Sequence, residues 1–123
     1  MKNVLMFVIA AFVLISCNKV EAGKGGNGLI DGVAVHHNLR IGEAQIYIKY
    51  GAEEFPGTDL SEYDDNVTAN ANGEFAFPDL NEGNYFIYGA GFDPVLNDSV
   101  FGGIPVELRE DESKTVVLAI TED

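Results

Sequence analysis

The chain has 123 residues, one cysteine, no tryptophan, and 20 Asp and Glu against 7 Lys and Arg, a net charge of −13. That length suits one domain with enough chain to bury its own core, and a lone cysteine rules out a disulfide framework within the chain. The acid excess excludes nucleic acid as a partner, because phosphate binding needs a basic face, and it disfavours insertion against anionic lipid.

Lys2 precedes an apolar run over residues 4–15, and small Ser16 follows it. A positive start, a short apolar stretch and a small residue before the cut are the layout of a secretory signal peptide. The run has 12 residues, short of the ~20 a bilayer-spanning helix needs. Leu14-Ile15-Ser16-Cys17 resembles the bacterial lipoprotein lipobox. The resemblance implies cleavage before Cys17 and a mature N-terminus that carries a diacylglyceryl thioether and an amide-linked acyl chain. One acyl chain anchors only reversibly; three anchor permanently. Residues 1–16 are therefore expected to be a signal peptide. The expected address is the cell envelope outside the cytoplasm, at the outer membrane, with the lipid as the membrane partner. Residues 18–28 are polar and Gly-rich without periodicity, which predicts a flexible tether after the lipidated cysteine.

From residue 29 the pattern is β throughout. Residues 30–35 form a short apolar strand. Residues 44–50 alternate strictly, with Ala44, Ile46, Ile48 and Tyr50 on one face and Gln45, Tyr47 and Lys49 on the other. A turn at Asn70-Ala71-Asn72-Gly73 enters a strand over residues 74–77, and Asn81-Glu82-Gly83-Asn84 leads into another over residues 85–91. Alternation returns at Ile104, Val106 and Leu108, and again at Val116, Leu118 and Ile120. With no helical period after Cys17, these spacings predict an all-β, two-sheet antiparallel sandwich of six to seven strands over residues 29–123. The long irregular stretch, residues 51–67, holds Phe55, Leu60 and Tyr63. Those apolar side chains give it something to pack with.

Residues 72–85, Asn-Gly-Glu-Phe-Ala-Phe-Pro-Asp-Leu-Asn-Glu-Gly-Asn-Tyr, resemble the central signature of carboxypeptidase regulatory-like domains. Gly32-Val33 and residues 42–48 are similar to that family's opening strands. The resemblance covers about residues 29–121 and implies a transthyretin-like (prealbumin-like) sandwich that acts as an accessory or binding module. Phe75, Phe77, Leu80 and Tyr85 are its expected core anchors, with the Tyr85 hydroxyl at the rim.

Catalysis needs a nucleophile, a base and an orienting group within reach of one another. Beyond Cys17 there is no thiol, and the histidines, His36 and His37, are adjacent and point to opposite faces of a strand. An enzyme of the transthyretin-like fold, 5-hydroxyisourate hydrolase, ends in Tyr-Arg-Gly-Ser, whereas this chain ends Ile120-Thr121-Glu122-Asp123. No enzyme activity and no cofactor is expected. His36 and His37 with Asp31 fall short of a zinc ligand set. Asp59, Glu62, Asp64 and Asp65 are a weak calcium candidate, because they lack the ligand order of a folded calcium loop. One surface stands out. If Tyr85 and Ile87 face in, Phe86 and Tyr88 join Tyr47 on an outer face, an aromatic patch of the kind that marks interaction sites, unless the loop over residues 51–67 covers it. The reading is a lipid-anchored envelope module that binds protein or carbohydrate through Tyr47, Phe86 and Tyr88. The alternatives are a purely structural envelope lipoprotein and a hydrolase with an unrecognised site.

Overall fold

The computed structural model describes residues 20–121; Cys17 and the signal segment lie outside them. Eight strands follow in order: β1 (Lys24–His36), β2 (Leu39–Arg40), β3 (Gln45–Tyr50), β4 (Asp65–Thr68), β5 (Glu74–Leu80), β6 (Gly83–Asp93), β7 (Asp98–Leu108) and β8 (Ser113–Ala119), with a single 3₁₀ turn at Leu60–Glu62. The expected all-β two-sheet sandwich is what forms. In one sheet β1 pairs antiparallel with β5 and the short β2, and parallel with β8. The other sheet runs β4-β3-β6-β7, antiparallel throughout. The strand count exceeds six to seven because β2 and β4 are too short, at 2 and 4 residues, to show a period in sequence.

The core lies between the sheets and follows the alternation. Ile30 and Ala34 from β1, Phe75 and Phe77 from β5 and Leu118 from β8 point inward from one sheet, opposite Ile46 and Ile48 of β3 and Tyr85 and Ile87 of β6 in the other. Phe77, Leu80 and Tyr85 are at most 1% exposed, so the four expected anchors, with Phe75, are core. The turn before β5 forms because the Asn70 carboxamide oxygen accepts the backbone N–H groups of Asn72 and Glu74 at 2.9 and 3.0 Å. Gly73 completes it at φ 76°. A Cβ there would lie 2.9 Å from the Ala34 carbonyl oxygen, so only glycine fits.

Beyond the strand count and the parallel β1–β8 pair, which departs from the expected antiparallel pairing, two details differ from the sequence reading. The Gly-rich segment is not free of the domain: β1 starts at Lys24, and Lys24 and Gly28 both pair with Leu80 across a bulge. Glycines suit this bulged edge, because a Cβ on Gly28 would lie 2.6 Å from the Leu108 side chain. The Tyr85 hydroxyl is also not at a rim. It accepts the Gly23 N–H at 2.8 Å and donates to the Asn81 carbonyl at 2.6 Å, which pins the chain just before β1 to the turn before β6.

The outer edge of β7 is blunted against strand addition at two places. Phe101 exchanges both backbone hydrogen bonds with Thr121 at 2.8 Å, and Pro105 offers no N–H, a usual means of blunting an edge. Replacing Phe75 or Phe77 with alanine is expected to destabilise the domain by about 3–5 kcal/mol, read as a lower denaturant midpoint. Ser113→Ala on the exposed face is expected to change stability by less than about 0.5 kcal/mol.

Candidate functional site

Pairing register brings the sequence-predicted aromatics together. Tyr47 lies opposite Tyr88, and Lys49 opposite Phe86, between β3 and β6. Tyr88 in turn faces Gly103, Phe86 faces Pro105 and Ala90 faces Phe101 on β7. Phe86 and Tyr88 point away from the inter-sheet core, yet they are only 5% and 6% exposed. The cover is residues 51–64, which fold back over the outer face. The Phe55 ring sits 5.9 Å from Phe86 and 5.4 Å from Tyr88. The Tyr63 ring stacks on Tyr88 at 5.8 Å and lies 5.8 Å from Tyr47. Tyr63 also donates its hydroxyl to the Gly57 carbonyl at 2.9 Å, closing the loop on itself. Burial, and secondarily the neighbouring Tyr88, pushes the Tyr63 phenol up to about 12.

The candidate calcium ligands are spread rather than gathered, with Asp59, Glu62 and Asp64 along this loop and Asp65 at the start of β4. Asp59 caps the 3₁₀ turn, accepting the Ser61 hydroxyl at 2.6 Å and its N–H at 3.1 Å. Those two bonds hold its carboxyl below the usual carboxylate range. Asp64 accepts the Tyr50 N–H at 2.7 Å and faces the Lys49 ammonium at 3.7 Å. Asp65 faces Lys24 at 3.6 Å, and Glu62 is exposed. Among the described residues no group of three or more His, Cys, Asp and Glu side chains is placed to hold a metal.

Where the loop stops short of β7, a groove of about 520 Å³ opens, within the size range of small-molecule sites. Phe55 and Leu60 form one wall, Tyr88 and Ala90 line the base, and Phe101 with Gly102 forms the far side. Phe55, Leu60 and Phe101 remain 52%, 44% and 36% exposed. Gly103 makes the base flat: a Cβ there would lie 2.5 Å from the Phe86 ring, so its absence lets that ring rest on β7. A cleft of about 650 Å³ at the seam between β4 and β5 is more polar, but its groups are engaged with each other. Thr115 donates to Asp31 at 2.6 Å, Asn70 donates to Glu74 at 3.0 Å, and Arg40 lies 3.9 Å from Glu74. The aromatic groove is therefore the better candidate.

Sequence reasoning missed one buried polar pair. His36, at the end of β1, and Asp93, at the end of β6, are 2% and 3% exposed, and His36 Nδ1 lies 2.6 Å from Asp93 Oδ2. Asp93 Oδ1 accepts the Val95 and Leu96 N–H groups at 2.8 and 3.2 Å, fixing the turn that presents exposed Phe92, Val95 and Leu96. Asp93 before Pro94 was the available signal, since such a pair initiates turns. Nothing in sequence indicated His36 as its partner. Asp31, bonded to Thr115, and His36, bonded to Asp93, do not converge on a common ligand.

No family model and no curated protein matches the sequence. Among solved structures, the chain is similar to a Pseudomonas aeruginosa protein proposed to be carbohydrate binding, at 13% identity and a TM-score of 0.54 over 80% of this chain and 91% of that one. At this identity the likeness shows the fold alone.

The His36 hydrogen bond, assisted by the Val95 and Leu96 N–H groups and opposed by burial, holds the Asp93 carboxyl below its ordinary range. A carboxyl whose pKa falls on folding contributes stability in full above its unfolded value, ~3.9, and loses it as pH drops through the folded value. Wild type is therefore expected to lose part of its stability advantage over Asp93→Asn between about pH 5 and pH 2. Chemical denaturation of both at several pH values measures this. A difference independent of pH contradicts the assignment.

Proposed function

We propose that this protein is a lipid-anchored, non-catalytic binding module of the cell envelope, a carboxypeptidase regulatory-like lipoprotein that engages its ligand through the aromatic groove. The observation that carries the reading is the groove itself: an open, preformed, mainly apolar surface on a sandwich whose hydrophobic core is closed elsewhere. Carbohydrate is the favoured ligand. Aromatic faces suit the C–H face of a sugar, and the similar Pseudomonas aeruginosa protein is proposed to be carbohydrate binding. Binding rather than catalysis fits the His36–Asp93 pair, because His36 is 2% exposed and out of reach of a substrate.

The anchor comes from Leu14-Ile15-Ser16-Cys17. Because Gly23 is pinned to Tyr85, five residues separate Cys17 from the fixed chain, a reach of under about 20 Å at most. The β5–β6 turn then faces the membrane, and the His36 end of the 13-residue β1 points away by about 40 Å.

The test pairs two variants in cells. Cys17→Ala is expected to lose labelled fatty acid and move from the membrane to the soluble fraction. Phe101→Ala is expected to stay anchored and folded while losing at least about tenfold in saturable binding to envelope glycans. Equal labelling of the cysteine variant contradicts the anchor, and unchanged glycan binding by the phenylalanine variant contradicts the groove.

A further inference from the structure

Resting on the carbohydrate reading above, we propose that the groove takes a saccharide by its apolar face and that the acidic loop beside it selects sugars bearing a free amino group over N-acetylated sugars and rejects uronates.

The shape argues for an amphiphilic ring. The groove is open along its length, with Phe55 and Phe101 still 52% and 36% exposed, so a ligand lying in it keeps one side in water. An acyl chain would leave half its surface wet, whereas a pyranose presents C–H groups to the aromatic faces and hydroxyls to solvent. Thr58 stands on the loop side of the groove and supplies a hydroxyl for orientation. An extended peptide is disfavoured, because strand addition needs free backbone groups on β7. Thr121 already takes those of Phe101, and Pro105 has no N–H.

The charge argues for a cation. Residues 51–64 carry Glu53, Glu54, Asp59, Glu62 and Asp64 and no Lys or Arg. Lys49, the cross-strand neighbour of Phe86, faces Asp64 at 3.7 Å. Glu54 adjoins Phe55, and Glu62 follows Leu60 by two residues, both exposed. The wall of the groove therefore sits in a negative field on a chain of net charge −13. The exposed rings of Phe55 and Phe101 attract positive charge as well. An ammonium on the sugar gains from both sources. An acetamide gains from neither, and a carboxylate is repelled.

The test titrates the protein with three linear tetrasaccharides of matched length: a glucosamine, an N-acetylglucosamine and a uronate oligomer. At low salt the glucosamine oligomer is expected to bind about fivefold tighter than the N-acetylated one, with no uronate binding. That preference is expected to vanish near 1 M salt, where the Debye length falls to ~3 Å. The double variant Glu54→Gln with Glu62→Gln is expected to lose the preference and keep N-acetylglucosamine binding. Phe101→Ala is expected to weaken both sugars by about tenfold. Equal binding of all three sugars that Phe101→Ala abolishes overturns the charge selection and leaves the groove standing. Uronate binding tightest overturns the charge selection too. Failure of the folded protein to bind any of the three overturns the carbohydrate reading itself.

Discussion

Strand β6 buries both of its faces over residues 85–88. Tyr85 and Ile87 fill the space between the sheets, while Phe86 and Tyr88, on the opposite face, are covered by the folded-back loop. A strand in that position needs apolar residues at successive places rather than alternate ones, and residues 85–88 are Tyr-Phe-Ile-Tyr. Two large rings left open on an outer face would expose apolar surface at roughly 25 cal/mol per Å². The stacking of Tyr63 and Phe55 removes most of it. The loop thus belongs to the domain as a partial third layer, and the groove is the part of the outer face it leaves uncovered.

The same constraint accounts for small residues in β7. Covering Phe86 from the loop side pushes its ring toward the neighbouring strand, where Gly103 gives it room. Bulk at that position would lift the ring and deform the groove base. Edge protection by Thr121 and Pro105 then leaves a surface that presents side chains, not backbone hydrogen-bonding groups. Recognition there depends on ring faces and on the surrounding charge.

Much of this was legible in the chain. Alternation in residues 44–50 and 74–77 placed Ile46, Ile48, Phe75 and Phe77 in the core, and the same parity put Tyr47, Phe86 and Tyr88 on one outer face. What parity could not supply was the third layer. Whether Phe55 and Tyr63 reach Phe86 and Tyr88 depends on loop geometry set by Asp59, Asp64 and the Tyr63–Gly57 hydrogen bond, and no period encodes that. The start of the first sheet was hidden for a different reason. Glycines at residues 25, 26 and 28 read as linker, yet Gly26 and Gly28 are required by close approach to Leu80 and Leu108, and Gly25 sits at φ 127° beside Asn81. The His36–Asp93 pair joins residues 57 positions apart, and only the tertiary fold brings them together.

The loop over residues 51–64 is packed on β6 through its aromatic rings. A double-mutant cycle on Tyr63→Ala and Tyr88→Ala, read by chemical denaturation, tests this most directly. Stacked rings at 5.8 Å predict a coupling energy of about 0.5–1.5 kcal/mol. Strictly additive losses, with a coupling of zero, would mean that the loop does not rest on the sheet and that the groove has no wall.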